Sequence, residues 1–468
     1  MLHLPSQLQP SDNKDLQLSP TGSDQPSETK EESGVTFSWG IIMVRTKKLL
    51  SILDYLARTR LFTDLGWIFL GITIAAAAVM IWLMLDQNYL VLTGSLAFRC
   101  AVGAATAAQC QQIGVAVTHP PPLQTYLLLP GLNPVIPIVY GIIGIVVAVV
   151  IHEGTHGVIA RRLKMPVKST GLLFLLIIPI GAFVEIDEKE IQKSRFRDSG
   201  RVMAGGPGSN IIVALVALAI LLVIVGGLVP AQFNGVQVQQ IVTPTSSQPS
   251  PAYTLYQQHH LQAGDVIVAV NGTAIHSLEN LTNYLNNTRA NESLVLSIDH
   301  SGKVSNYSIV LAPYPSSIEN TTKGFIGISE SFDDTTLNNI KNTYSSSFFK
   351  NPVLYLVVPG IFSQANTVVP FSNELAKLYS SPSLGAVWYP LAMTTFWIWF
   401  INVNLAFFNA IPLYPLDGGQ ALMNFFSHFG RKGVEMRAKM LTTIVSLIML
   451  ALILSFLFLP RILGVVSL

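Results

Sequence analysis

Two histidines and a glutamate occur together in Ile151–His156, which reads Ile-His-Glu-Gly-Thr-His. Residues four apart lie on the same face of an α-helix, so the imidazoles of His152 and His156 can reach one metal ion. Neutral imidazoles suit Zn²⁺, and a catalytic zinc site keeps one position open for water. A neighbouring carboxylate can take a proton from that water, which makes Glu153 the candidate base. The pattern is typical of a zinc hydrolase, and chance is the weaker explanation in a chain with nine histidines.

The position of this motif in the chain is unusual for a soluble enzyme. Residues 138–151 contain no charged side chain, whereas Arg161 and Arg162 follow the motif. Ionisable groups inside a membrane span carry a free-energy penalty and generally mark a functional site. We therefore predict a helix over about 137–160 that carries a hydrolytic metal site into the bilayer.

The composition of the whole chain agrees with a membrane location. Of the 468 residues, 50% are hydrophobic and 12% are charged, and the mean hydropathy is +0.48. These values predict a multi-pass membrane protein. We expect the lipid bilayer as a partner and no nucleic acid. The two cysteines, Cys100 and Cys110, could form one disulfide in an oxidising compartment or remain free thiols, and the sequence leaves both open.

The distribution of basic residues predicts the orientation in the membrane. The first apolar segment, Leu65–Leu85, is long enough to cross a hydrocarbon core of about 30 Å. Five basic residues lie between residues 43 and 64, whereas residues 86–134 contain only Arg99. By the positive-inside rule, the N-terminus is cytoplasmic, the next loop is external, and the motif lies toward the cytoplasmic side of the cell membrane. Further spans are predicted over about 137–160, 208–229, 385–411 and 441–459.

The predicted domain organisation begins with a polar tail. Residues 1–42 are expected to form a disordered cytoplasmic tail, because their composition cannot bury enough apolar surface to order the chain. The membrane domain occupies 43–230 and 384–468. Residues 315–383, directly before its second part, are predicted to be an external linker or membrane-associated segment.

Two stretches of the first membrane part allow more than one interpretation. Residues 171–183 are apolar, interrupted by Pro179 and too short to span, so a core strand pair, a surface anchor and a re-entrant hairpin all remain open. Residues 204–210 are Gly-rich and predict a turn that opens the third span. A phosphate-binding loop is disfavoured there, because no buried strand precedes it and no lysine follows. We expect its glycines to allow close helix packing, with Asn210 as an intramembrane polar group.

A region of different composition lies between the third and fourth spans. Residues 232–383 are rich in Asn, Ser, Thr and Tyr and carry six Asn-x-Ser/Thr acceptors, which is consistent with an external face. Within it, residues 261–273 read LQAGDVIVAVNGT, a turn, an alternating strand and an Asn-Gly turn. This pattern resembles a PDZ domain over about 234–314, and such domains bind an extended peptide as an added strand. A plain β-rich external domain is the alternative.

A second motif occurs at the end of the fourth predicted span. Residues 409–418 read NAIPLYPLDG, which is Asn-x-x-Pro-x-x-x-x-Asp-Gly. Combined with the first motif, it strongly resembles the site-2 protease family of intramembrane zinc metalloproteases, over about 137–459. The resemblance implies three zinc ligands, one general base and one polar residue that helps hold the substrate or its developing oxyanion, respectively His152, His156 and Asp417, then Glu153, then Asn409.

The resemblance also implies a fold and a class of substrate. The expected fold is a polytopic α-helical membrane protein with about five or six transmembrane helices, a membrane-embedded β-hairpin at 171–183 and an inserted external α+β PDZ-like domain. The expected substrates are membrane-anchored proteins, hydrolysed in or near a transmembrane helix during regulated intramembrane proteolysis, after a first cut by another protease. The PDZ-like domain is then a gate for substrates.

Two other functions remain open from the residues. A membrane zinc protease with glutamate as its third ligand would need a late intramembrane Glu, whereas the late spans offer Asp417 and only Glu435 in a charged turn. A sensor or transporter with a structural metal would normally supply four protein ligands, and this sequence offers three well-placed ones.

Overall fold

A computed structural model of the chain describes residues 34–38, 41–94, 129–133, 136–175, 178–231, 234–245, 249–300, 302–314, 322–329, 337–342, 346, 376–428 and 434–463. Five helices within these residues are long and apolar enough to cross a membrane: Asp64–Asp86, Ile138–Arg162, Phe196–Gly226, Gly385–Ala410 and Met436–Leu459. The prediction of a multi-pass α-helical membrane protein is confirmed. Cys100, Cys110 and the apolar stretch at 350–371 lie outside the described residues.

The order of elements along the chain separates two helical parts by a β-rich insertion. The helices are α1 (Leu50–Leu56), α2 (Leu61–Gly94), α3 (Ile138–Arg162), α4 (Glu188–Lys193), α5 (Phe196–Gly226), α6 (Pro251–Gln257), α7 (Leu278–Asn286), α8 (Trp388–Ala410), α9 (Asp417–His428) and α10 (Val434–Leu463). The strands are β1 (Val35–Ser38), β2 (Ile41–Thr46), β3 (Val167–Leu175), β4 (Ile178–Ile186), β5 (Val229–Pro230), β6 (Val236–Gln237), β7 (Gln240–Ile241), β8 (Val266–Val270), β9 (Thr273–Ala274), β10 (Ser293–His300), β11 (Lys303–Val310), β12 (Ala312–Pro313), β13 (Gly324–Phe325), β14 (Ile328–Ser329) and β15 (Tyr379–Ser380).

A four-stranded antiparallel sheet in the order β1-β2-β3-β4 lies beside the helices. The residues of 171–183 that the structure describes lie in the antiparallel strand pair of β3 and β4, and the position of this pair in the membrane stays a prediction. The predicted disordered tail over 1–42 is wrong for residues 35–38 and 41–42, which lie in β1 and β2. The prediction rests on composition alone, which does not show strand pairing. In the structure β2 pairs with β3, so the backbone N–H and carbonyl groups of β2 are hydrogen-bonded.

Helix α5 is longer than the predicted third span. It begins at Phe196, so the Gly-rich residues 204–210 lie inside the helix and the predicted turn is wrong. In apolar surroundings every backbone polar group needs an internal partner, which favours a continuous helix over a Gly-rich turn. The glycines face neighbouring helices, as expected, and Gly208 lies against Phe69 of α2.

The hydrophobic centre of the helical part lies around α8. Phe396, Trp397 and Phe400 of this helix are completely buried. Helices α3 and α5 both pack against α8 and against each other, and they share one apolar cluster with it. Buried aromatic side chains of α8 therefore hold together the three helices that surround the motif residues described below.

The inserted domain packs around a core of its own. Its main sheet has the order β11-β10-β8-β6, with β9 paired to β8, and α6 and α7 flank it. The predicted strand and Asn-Gly turn are both present, and α7 follows them: Asn271 has a φ of 46° between β8 and β9, and Ser277 caps α7 by accepting the N–H of Asn280. On β10, inward residues alternate with outward ones, as a half-buried strand requires.

Candidate metal centre

Helix α3 brings the two motif histidines to one face. His152 and His156 are both buried, and their ring centroids lie 4.9 Å apart. Asp417, 265 positions after His152, meets both rings. Its Oδ2 lies 2.9 Å from the Nε2 of His152 and 3.3 Å from the Nε2 of His156. The two sequence motifs therefore converge on one point.

Asp417 reaches this point because α9 begins directly after a short connection from α8. Helix α8 ends at Ala410 and Asp417 is the first residue of α9. A Cβ on Gly418 would clash with the Ala410 carbonyl oxygen, so only glycine permits this close return of the chain. The carboxylate stands at a helix N-terminus, where the helix dipole favours negative charge.

The three side chains fit a divalent metal. Among the described residues, these three side chains form a group whose ligand atoms all lie within 4.8 Å of one another. In a tetrahedral zinc site with bonds of about 2.0 Å, neighbouring ligand atoms are about 3.3 Å apart, close to the two distances observed. Burial alone would raise the pKa of the Asp417 carboxyl, but the two imidazoles outweigh burial and hold its pKa well below its ordinary value. The surroundings of Asp417 therefore favour the anionic carboxylate, which is the form that binds a metal.

Gly206 of α5 forms the floor of the group. A Cβ at this position would lie 2.6 Å from the Nε2 of His152, and closer still to the Nε2 of His156. Any side chain there would fill the space between the ligand nitrogens. The sequence predicts close packing for the Gly205-Gly206 pair but does not indicate that Gly206 lies against the two histidine rings.

The second ring nitrogens of the two histidines have different surroundings. The Nδ1 of His156 lies 2.6 Å from the carbonyl oxygen of Val202, which can only accept, so Nδ1 carries the proton and Nε2 is free to bind a metal. The Nδ1 of His152 is buried and has no hydrogen-bond partner in the described part of the chain.

Glu153 is held by the edge of the sheet. Its Oε2 accepts the backbone N–H of Val184, in β4, at 3.0 Å. This N–H points away from β3, so the edge of β4 that does not pair with β3 faces helix α3. No pattern in the sequence signals this contact, because it depends on a backbone group and on how the sheet docks against the helix.

A cavity of about 290 Å³ opens beside the ligands. Its lining combines the motif residues with apolar side chains and the edge of β4: Val149, His152, Glu153, Gly181, Ala182, Leu405, Asn409, Pro415, Leu416, Asp417 and Gln420. The Nδ2 of Asn409 lies 3.5 Å from the Nε2 of His152, a long contact that leaves its N–H groups available to a ligand in the cavity. The Nε2 of Gln420, a residue the sequence did not single out, donates to the Pro415 carbonyl at 2.9 Å.

Comparison with solved structures gives a match for the inserted domain. The PDZ domain of the SdrC-like protein from Listeria monocytogenes is 24% identical and covers 22% of this chain and 93% of that chain. The TM-score is 0.17, which does not establish the fold of the domain.

Comparisons of sequence cover the helical part as well. An uncharacterized protein of Methanocaldococcus jannaschii is 24% identical over 377 residues, which make up 80% of this chain and 75% of that protein. The zinc metalloprotease RasP of Geobacillus kaustophilus is 22% identical over 254 residues, which make up 52% of this chain and 55% of that protein. The family model for peptidase family M50 matches residues 140–453, about two-thirds of the chain. With both motifs and the three converging side chains inside that match, the chain belongs to peptidase family M50, the site-2 protease family.

Proposed function

We propose that this protein is a zinc-dependent endopeptidase that hydrolyses peptide bonds in or near transmembrane segments of membrane-anchored proteins. The observation that carries the proposal is the convergence of His152, His156 and Asp417 beside Glu153, at one end of an apolar helix. The donor set of two imidazoles and one carboxylate leaves a fourth position open, which is the arrangement of a catalytic zinc site and not of a structural one.

The roles of the side chains follow from their surroundings. Bound zinc would supply Lewis acidity toward the scissile carbonyl and lower the pKa of water. Glu153 takes up a proton from the attacking water and later gives it to the leaving amine. The Val184 N–H donates to the Glu153 carboxylate and orients it for this transfer. The Asn409 amide is available to donate a hydrogen bond to the substrate carbonyl as negative charge develops there.

The edge of β4 that does not pair with β3 is suited to bind an extended substrate. Within the described residues β4 pairs with β3 and with no other strand. Because the Val184 N–H points outward, the backbone N–H and carbonyl of Ala182, two residues before it, point outward as well and line the cavity. A helix hides its carbonyls in its own hydrogen bonds, so a substrate must unwind before cleavage, and the unwound strand can pair with this edge.

The inserted domain is proposed to act as a gate for substrates on the external side. The support is its sequence pattern at 261–273 and an order of strands and helices consistent with a PDZ-like domain. The positive-inside rule puts the N-terminus and the catalytic end of α3 on the cytoplasmic side of the cell membrane. A gate on the opposite face would exclude substrates with bulky external domains before they reach the cavity.

The proposal is tested by proteolysis of a labelled single-span substrate with purified protein in liposomes. Cleavage within the span should stop after chelation and return when zinc is added back. Glu153→Ala protein, treated identically, is the control for a contaminating protease. Stoichiometric bound metal without cleavage of any of a varied set of spans would instead favour a sensor or transporter.

A further inference from the structure

Two buried side chains, one on α3 and one on α5, have polar atoms that form no hydrogen bond within the described part of the chain. The Nδ1 of His152 has no hydrogen-bond partner among the described residues, and neither has the side-chain oxygen or nitrogen of Asn210. Asn210, on α5, is completely buried. A buried polar group without a hydrogen bond is destabilising, so both unpaired groups call for an explanation.

Helix packing places these groups on matching turns of two antiparallel helices. Helices α3 and α5 are antiparallel, so residue numbers that increase along α3 lie beside residue numbers that decrease along α5. His156 bonds to the Val202 carbonyl, and both rings border Gly206. Counted from Gly206, the next residue on the same face of α5 is Asn210. Counted from His156 in the same spatial direction, the next turn of α3 is the one that carries His152. The edge of the His152 ring that faces Gly206 is the Cε1–Nε2 edge, and Nδ1 is the ring atom bonded to Cε1 on its far side.

The hydrogen bonds within α5 leave the Asn210 side chain free to contact the His152 ring. Other buried asparagines bond to the carbonyl four residues earlier in their own helix, as Asn402 does to Ile398 and Asn404 to Phe400. At the corresponding place in α5, the Gly206 carbonyl accepts the hydroxyl of Ser209 at 2.9 Å.

We propose that Asn210 is the positioning residue for His152, with its Oδ1 accepting the Nδ1–H either directly in the metal-bound protein or through one bridging water. The inference rests on the proposed zinc site. Metal-ligating histidines almost always donate their second ring N–H to an acceptor, which sets the tautomer and the direction of the ligating nitrogen. Val202 supplies that acceptor to His156, and Asn210 supplies it to His152.

The test is zinc affinity of the full-length protein, measured by competition with a chelator in detergent, together with the visible spectrum of the Co²⁺-substituted protein. Asn210→Leu keeps the shape of the side chain and removes the acceptor, so we expect zinc affinity to fall by about 10- to 100-fold and the Co²⁺ bands to shift. Asn210→Asp keeps an acceptor and should bind zinc at least as tightly as the wild type. Asn404→Leu removes a buried amide elsewhere and should change neither readout.

The outcomes separate this inference from the proposed function. Wild-type affinity and an unchanged spectrum in Asn210→Leu would overturn the role of Asn210 and leave the metal centre intact. A wild-type protein that does not bind zinc would overturn the metal centre and this inference with it. If Asn210→Leu does not fold, Asn210→Asp decides, because a carboxylate acceptor makes the imidazole a stronger ligand. Unshifted Co²⁺ bands in that variant would contradict the contact.

Discussion

Two aspartates, Asp265 in the inserted domain and Asp417 in the helical core, both contact histidine, with different results. In the inserted domain, Asp265 accepts the N–H of Gln262 at 2.8 Å and contacts the Nδ1 of His300 at 2.6 Å, but the His300 side chain is 59% exposed. In the core, Asp417 contacts two histidines whose side chains are 6% and 8% exposed. The first arrangement ties a turn to a strand, whereas the second encloses a space between three ligand atoms.

The difference shows what distinguishes a metal site from a structural ion pair. An Asp–His contact is present in both regions, so the contact alone indicates neither. Around Asp417, the described residues add a second imidazole, a ligand-sized gap above Gly206 and an adjoining cavity. Substitutions in the core should therefore change chemistry or metal binding, and those in the inserted domain should change stability or substrate choice.

The largest effect is expected from Glu153→Ala, which separates chemistry from metal binding within the core. Loss of a general base should lower the cleavage rate by about 10²- to 10⁴-fold. Zinc content should stay at the wild-type level, because Glu153 is not among the three converging side chains. Both quantities can be measured on one preparation, and undiminished cleavage would sink the assignment of the base.

Gly206→Ala should remove the metal without removing a ligand. The added Cβ would occupy the space beside the two ligating nitrogens, so we expect almost no bound zinc after purification in stoichiometric zinc. Gly154→Ala is the matched control, because a Cβ on Gly154, inside the first motif, meets nothing within 4 Å. Equal zinc contents in the two variants would contradict the proposed floor of the site.

Asp417→Asn and Asp265→Asn test the comparison of the two aspartates directly. Asp417→Asn should lower zinc affinity by more than about 100-fold, beyond the range seen for residues that only orient a ligand. Asp265→Asn should leave zinc affinity unchanged and destabilise the inserted domain by about 1–3 kcal/mol, since a buried hydrogen-bonded group is altered. Chelator competition and thermal unfolding measure the two effects, and zinc retained by Asp417→Asn would exclude it as a ligand.

Ala182→Pro should weaken substrate binding at the sheet edge. Proline removes an N–H that points away from β3, so the ladder of the sheet should survive. Loss of one backbone hydrogen bond to the substrate should lower kcat/KM by about tenfold, with zinc content unchanged. Ala182→Ser keeps the N–H and serves as the control. If Ala182→Pro cleaves like the wild type, the substrate does not pair with this edge.

Deletion of residues 234–329, the predicted domain together with the strands β13 and β14 that pair with it, is expected to have the smallest effect on chemistry. Zinc content should be unchanged, because the domain packs around its own core. The ratio of cleavage rates for substrates with trimmed and with long external domains should fall toward one. The comparison needs both substrates in the same liposomes, and an unaltered ratio would rule out the gate.

The sequence by itself determined the local parts of the site and the general architecture. The period of an α-helix places His152 and His156 on one face, and the apolar segments predict the membrane helices, because both signals come from neighbouring residues. The strand, Asn-Gly turn and capped helix of the inserted domain follow from local preferences in the same way.

Only the tertiary structure decided which distant groups meet. The pairing of β2 with β3, the continuation of α5 through residues 204–210, the contact between Val184 and Glu153 and the position of Gly206 beneath the ligands all depend on packing. Such contacts involve backbone groups or the absence of a side chain, which carry no periodic signal along the chain. The motifs therefore predicted the three candidate ligands. The packing of the fold placed Gly206, the edge of β4 and the orienting hydrogen bonds around them.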